Sequence, residues 1–214
     1  MARMRRSLTK EKPNIYDSLK DRITLLDYEP GQMIREKDLM EEFQVSRTPV
    51  REALIRLQSD ELVRIVPSSG TFVTEVSFLQ LRDTFEVRAH LIALAGELAA
   101  MRITHDELLQ LEELIENLKN ETDTKTIMRL DLEIHSLINQ ATRNSVLAKI
   151  LGSLRNQTVR IWSLAPRGHE YFRNIVTDFE GLHEALQERD PKKAARTLEK
   201  HFSKFVDFVQ GTAR

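Results

Sequence analysis

The sequence predicts a mainly α protein: an N-terminal winged helix-turn-helix followed by an all-α antiparallel bundle of about six helices. Three observations lead there. Pro13, Pro30, Gly31, Pro49, Pro67 and Gly70 all fall in the first third of the 214 residues, so that third is punctuated by turns. Two short β-prone runs close it. Beyond Val76 the composition shifts to Leu, Ala, Glu, Ile and Arg, a helix-forming mixture. The domain boundary is placed near Glu75–Phe78, giving a flexible basic arm over 1–12, one domain over 13–76 and another over 77–214.

Each element has its own signal. Residues 1–12 carry Arg3, Arg5 and Arg6 with no apolar periodicity, and read as the arm. Ile15, Leu19, Ile23 and Leu26 recur at close to helical spacing, predicting a helix from about Asn14 to Leu26. Glu29-Pro30-Gly31 is a turn, and Leu39 and Phe43 mark the buried side of a second, short helix. Ser46 is placed to cap a third helix, with Pro49 tolerated in its first turn and Val50, Leu54 and Leu57 as its inward stripe. The runs 62–66 and 71–76, joined by Pro67-Ser68-Ser69-Gly70, predict a two-stranded hairpin. In the second domain, Thr104 and Glu107 form a capping-box pattern ahead of Leu108, Leu111, Leu114, Ile115 and Leu118. Asp190-Pro191 opens a last helix that reaches about Gln210, stopping at Gly211. The remaining helices are predicted near 78–101, 124–141, 144–163 and 168–188.

Composition excludes several classes. Lys plus Arg is 32 and Asp plus Glu is 33, so the chain is not polybasic, although a local basic surface can hide in that balance. Cysteine is absent, which removes disulfides, thiolate metal sites and cysteine nucleophiles. With 41% hydrophobic residues the chain can fold, yet no apolar run is long enough to span a bilayer. No apolar segment follows the N-terminal arginines, so a cytoplasmic protein is expected.

The stretch Val45-Ser46-Arg47-Thr48-Pro49-Val50-Arg51-Glu52-Ala53-Leu54 carries the first function. With Val50, Leu54 and Leu57 turned inward, Arg47, Thr48 and Arg51 lie on the outer face and first turn. Arginine forks match guanine O6 and N7, and hydroxyls at a helix N-terminus suit phosphates. The alternative is a solvated charged face. The motif SRTPVREAL, followed by Leu62-Val63, a hairpin and Gly70, resembles the signature of the GntR family of bacterial transcription regulators. The helical remainder resembles the FCD (FadR C-terminal) ligand-binding domain of one large subgroup. The resemblance implies DNA contacts at Lys37, Ser46, Arg47, Thr48 and Arg51, with Ser69 and Gly70 at the wing tip. Lys37 stands where some members have Arg, and gives up the bidentate fork. Gln44 stands where the family often has Gly or Asn, at a left-handed position. Binding as a homodimer to a palindromic double-stranded operator is expected, since protein and operator symmetry match.

The second function rests on histidines. Asp131 and His135, four residues apart, share a helical face among Leu130, Leu132, Leu137 and Ile138. His201 lies among Leu198, Phe202 and Phe205, and His183 beside Leu182 and near Leu186. A buried carboxylate with imidazoles from several helices suits Zn, Ni, Mn or Fe. Taken singly, each histidine reads as a hydrogen-bonded core residue. The resemblance implies a metal on an Asp-x-x-x-His pair plus two later histidines, and Asp131, His135 and His201 match three of those positions. The fourth falls on Phe179. His183 lies one turn beyond it, about 6 Å along the axis, so either a helix shift recruits His183 or the site has lost a ligand.

The family's effectors, commonly small carboxylates, imply binding at Arg88, Asp131, His135 and His201, with Arg143 and Arg160 as weaker cations. Ile92 departs from the Glu found in many members, and Asn144 matches a helix-capping Asn. Two rival readings remain: a helical-bundle metalloenzyme, for which no separate acid or base is evident, and a winged-helix module that binds a protein.

Overall fold

The computed structural model describes residues 14–75, 78–162 and 169–212. The arm over 1–12 and the end of the second predicted strand at Val76 lie outside the described residues. Two compact units divide the chain, Met1–Thr74 and Glu75–Arg214.

The first unit contains α1 (Ile15–Thr24), β1 (Met33–Ile34), α2 (Glu36–Phe43), α3 (Arg47–Ser59), β2 (Val63–Val66) and β3 (Gly70–Val73). Leu19, Ile23, Leu39, Val50, Leu54 and Leu57 are almost fully buried and pack with Leu62, Val63 and Val73 in one core. The helical stripes predicted from spacing are thus the faces that meet. Burying a Leu or Ile stabilises by about 1.5–3 kcal/mol, so this core outweighs any single surface contact. Tyr16 locks α1 to the end of α3: its hydroxyl donates to Asp60 while Arg56 lies 3.9 Å over its ring. Burial and Asp60 push that hydroxyl pKa up, so it stays a donor.

Three features of this unit differ from expectation. Helix α1 stops at Thr24 because Leu26 takes a left-handed conformation at φ 57° and Asp27 N–H turns back to the Arg22 carbonyl. The hairpin is the larger part of a three-stranded sheet of order β1-β3-β2, since Met33–Ile34 pairs with Phe72 and Thr71. Two residues are too few to show alternation, so β1 leaves no periodic signal. Strand β3 ends at Val73, and the Thr74 hydroxyl caps the chain onto the Glu61 and Leu62 carbonyls.

The second unit is helical among its described residues: α4 (Phe78–Arg102), α5 (His105–Asn120), α6 (Thr124–Ala141), α7 (Ser145–Trp162), α8 (His169–Gln187) and α9 (Pro191–Thr212). These six match the predicted all-α bundle. Four of their starts are fixed by side chains that satisfy otherwise unpaired backbone N–H groups. Thr104 and Glu107 form a full capping box, Asp123 caps α6, Asn144 accepts from Leu147 N–H, and Asp190 from Lys193 N–H. Helix α4 packs on α9, α7, α6 and α8, and is the hub of the bundle. It approaches α9 so closely at Gly96 that a Cβ there would stand 2.9 Å from the Ala194 backbone. Phe85, Phe202 and Phe205 meet edge-on and stacked, with ring centroids 5.8–6.2 Å apart, beside the cluster described next.

Candidate functional site

In the first unit, the short turn between α2 and α3 sets the angle of α3. Gln44 caps α2 in the left-handed region, φ 52° and ψ 48°, where its neighbours in the family resemblance use Gly or Asn. Ser46 occupies the N-cap position of α3 with extended backbone, but its hydroxyl makes no capping bond. The position was legible in the sequence; the bond was not formed. Ser46, Arg47, Thr48 and Arg51 are all exposed at that end of α3. Lys37 is exposed on α2, 3.7 Å from Glu41. Glu36, which the sequence reading passed over, faces both arginines: Arg47 Nε lies 3.5 Å and Arg51 Nε 3.1 Å from its carboxylate.

At the wing tip Ser69 N–H returns to the Val66 carbonyl, and Gly70 sits at φ 123°. A Cβ at Gly70 would stand 2.6 Å from Met33 Cε, the end of an exposed flexible side chain that can swing aside, so it is the positive φ that favours glycine there.

In the second unit, α6 and α9 bring Asp131, His135 and His201 together. One ligand atom from each lies within 4.8 Å of the others, and all three side chains are buried. His135 Nε2 is 3.7 Å and His201 Nε2 3.9 Å from the same Asp131 oxygen, Oδ1. His201 turns its other nitrogen, Nδ1, to Asp178 Oδ2 at 3.5 Å, and Asp178 in turn accepts from Lys204 at 2.6 Å. An imidazole held on one nitrogen by a carboxylate presents the other as a ligand, an arrangement common around bound metals. Asp178 carried no sequence signal of its own; its meaning comes only from α8 packing on α9.

His183 is not in this group. It faces a different opening, between α5 and α8, with His105 and Arg189. The helix shift that would recruit it is absent, because Phe179 keeps the inward position. Phe179 is 1% exposed, with its ring centroid 4.8 Å from His201 and 5.7 Å from His135. His183 is four residues on, about 6 Å further along the axis and turned by about 40°, and that displacement places it at the other opening.

Arg88 borders the same small cavity as the three donors. Its Nη1 donates to Thr158 Oγ1 at 2.8 Å, and the guanidinium lies 4.7 Å from the Phe202 ring. Arg155 donates to the Leu132 carbonyl nearby. Burial lowers its pKa to about 10 against the attraction of Asp131, so it stays charged at neutral pH. The weaker cations lie elsewhere in use: Arg143 forks onto Glu107 at 2.8 and 2.9 Å, and neither it nor Arg160 lines this cavity. Ile92 is buried at 3% exposure, a packing residue.

Burial is the larger influence on the donors. It raises the Asp131 carboxyl, against the charges of His201, Arg155 and Arg88. It drops His135 well below its usual value, and the same three charges add to that. Burial also pushes Asp178 up, but the bonds from His201 and Lys204 outweigh it and hold that carboxyl below its ordinary range. His135 is therefore neutral, the form that ligates a metal. A divalent cation would reverse the pressure on Asp131 by supplying the opposite charge at contact distance. Two imidazoles and one carboxylate, buried and within one ion's reach, fit such a cation. The cavity of roughly 20 Å3 holds an ion or a water, and is too small for an organic acid without side-chain movement.

Together the two units define a class: a winged helix-turn-helix joined in one chain to a helical domain with a buried donor cluster. The first matches the family model for bacterial regulatory proteins of the gntR family over residues 12–73, and the second the FCD domain over 83–204. The chain belongs to the GntR family of transcription regulators, in the group carrying an FCD domain. It is 30% identical over 166 residues to the HTH-type transcriptional regulator McbR of Escherichia coli K12, spanning 78% of this chain and 73% of that one. It is 26% identical over 184 residues to the HTH-type transcriptional repressor RspR of the same strain, spanning 85% and 81%. The solved structure of E. coli McbR/YncC has the same fold, with a TM-score of 0.83 over 94% of this chain and 97% of that one at 24% identity. The chain is thus a DNA-binding transcription regulator and not an enzyme, which removes the metalloenzyme reading. Among the described residues no helix is long and apolar enough to cross a membrane.

Proposed function

We propose that the protein is a cytoplasmic homodimer whose affinity for a palindromic operator is set by a small organic acid bound in the helical domain beside a divalent metal. The observation that carries this is the facing of two unlike groups across one cavity. Asp131, His135 and His201 offer three ligands to a cation, and the Arg88 guanidinium stands at the same cavity. Once lining side chains move aside to admit it, a carboxylate bound there would coordinate the metal with one end and pair with Arg88 at the other. Of Zn, Ni, Mn and Fe, each accepts two imidazoles and a carboxylate, so the donor set does not choose among them. A bound metal would supply a fixed positive charge, and Asp131, His135 and His201 would orient it out of water. Phe179 matters to the proposal because it withholds a fourth protein ligand and so leaves one more position to the effector.

DNA binding is assigned to Lys37, Ser46, Arg47, Thr48 and Arg51, with Ser69 and Gly70 at the wing. What supports this is the exposed N-terminal turn of α3, with two guanidinium groups and an uncapped Ser46 hydroxyl, where the helix dipole favours an anion. The homodimer surface is assigned to α4 and α7. Val87, Leu94 and Met101 recur every seven residues on α4 and are 52%, 39% and 55% exposed, while Val146 and Ile150 are exposed on α7. Apolar side chains of that size at helical repeat, left to water, suit a second copy of the chain.

The test is an operator titration with metal-loaded protein, with and without a panel of small carboxylates. A carboxylate that shifts operator affinity, and loses that effect in Arg88→Ala and His135→Ala, supports the reading. Shifts that survive both substitutions would place the effector elsewhere.

A further inference from the structure

We infer that Glu36 is a positioning residue for DNA reading: one carboxylate that holds Arg47 and Arg51 in register and thereby sets sequence discrimination. This rests on the reading of α3 as the helix that meets the duplex.

Glu36 lies in the first turn of α2 and its side chain is only 30% exposed, although both arginines beyond it are about twice as open, at 62% and 59%. Arg51 reaches it through Nε, which lies 3.1 and 3.2 Å from the two carboxylate oxygens, and Arg47 Nε is 3.5 Å from Oε2. The atom used matters. A guanidinium reads guanine with its terminal amino groups, and a partner on Nε fixes the plane of the fork without occupying those groups. One anion thus aims two forks from adjacent turns of α3.

A first-turn acid on α2 also interacts favourably with the helix dipole, and Asp38 does so as well. That accounts for an acid at the helix start. It does not account for two arginines of the next helix converging on it. Surface ion pairs of this kind contribute little to stability, so the consequence expected is in recognition and not in folding. Two long side chains held before the duplex arrives lose less freedom on binding, and that gain is realised only where their fork finds its base.

Charge and positioning make opposite predictions. Glu36 is a negative group close to a polyanion, so neutralising it strengthens binding to any duplex alike. Loss of positioning weakens binding to the matched duplex alone. The ratio of matched to unmatched affinity separates them.

The experiment uses the full chain. A matched duplex is enriched by the wild-type protein from a randomised pool, and a scrambled duplex of equal length is the control. Glu36→Gln is expected to lower the matched-to-scrambled ratio roughly tenfold, the cost of about one mismatched base pair. Glu36→Asp keeps the charge and the dipole interaction but shortens the reach, and the ratio should fall with it too. In an Arg47→Ala/Arg51→Ala background, Glu36→Gln should leave the ratio where the arginine substitutions put it. Circular dichroism confirms that each variant is folded at the assay temperature. A ratio unchanged by Glu36→Gln, with both affinities rising together, overturns the inference. So does an equal fall in the arginine-free background, which would mean Glu36 meets the duplex by itself. If Arg47→Ala and Arg51→Ala retain the wild-type ratio, the reading of α3 itself fails, a result distinct from either.

Discussion

Phe179 decides how many protein ligands the buried cluster can offer. Its ring lies against both imidazoles, so a histidine at the same position would bring a third one to them. Phe179→His is expected to lower the melting temperature of metal-free protein, since a packed ring is lost, and to bind Zn more tightly. Differential scanning fluorimetry across a Zn titration reads both effects; a variant that Zn does not stabilise beyond wild type would count against the site. In the first unit, Arg47→Ala or Arg51→Ala should each cost roughly 1–3 kcal/mol of operator binding, measured by fluorescence anisotropy. The Arg143–Glu107 pair has a stability role instead. Burial works to raise the Glu107 carboxyl, but the Arg143 fork and the Thr104 bonds hold it below the ordinary carboxylate value. A depressed folded value means the stabilisation is complete above the unfolded carboxylate pKa and is lost as pH falls through the folded one. Arg143 is 47% exposed, so Arg143→Gln should cost only about 0.5–1 kcal/mol at pH 7. The difference from wild type in urea melts should close as pH falls below the ordinary carboxylate range.

Among the elements, the starts of helices were the most legible and the short strand the least. Thr104, Asn144 and Asp190 each announce a helix start by residue type, because an unpaired N–H needs an oxygen at one defined place. Strand β1 and the early end of α1 were not legible, since both are set by partners distant in sequence or by a single backbone dihedral. The contact between α4 and α9 was hidden for the same reason: Gly96 looks like a helix-weakening residue until Ala194 is seen beside it. Gly96→Ala would raise helix propensity on an isolated helix, stabilising it by up to about 1 kcal/mol. Here the added methyl meets backbone, which cannot swing aside, so a net loss of roughly 1–3 kcal/mol is expected. Denaturant melts of the variant give the sign directly.

At the scale of the molecule, the family signature and the change of composition near Glu75 were enough to read both halves. The three metal-ligand candidates on α6 and α9 could also be read, because a carboxylate and an imidazole four apart share a face. His183 was the misplacement: it is one turn from Phe179, and only the packing of α8 on α5 shows that it lines another opening. Asp178 and Glu36 had no motif to reveal them, as each acquires its role from a neighbouring helix. Linkage joins the two functions. An effector that changes operator affinity by some factor must itself be bound more or less tightly by the operator-bound protein, by the same factor. The account as a whole depends on the buried cluster holding a cation. The direct test is native mass spectrometry of protein purified without tag or chelator and then incubated with Zn or Ni, with Asp131→Ala and His135→Ala as controls. One divalent ion per chain in the wild type, lost in both controls, is the predicted result. A wild-type chain that retains no ion after incubation would contradict it.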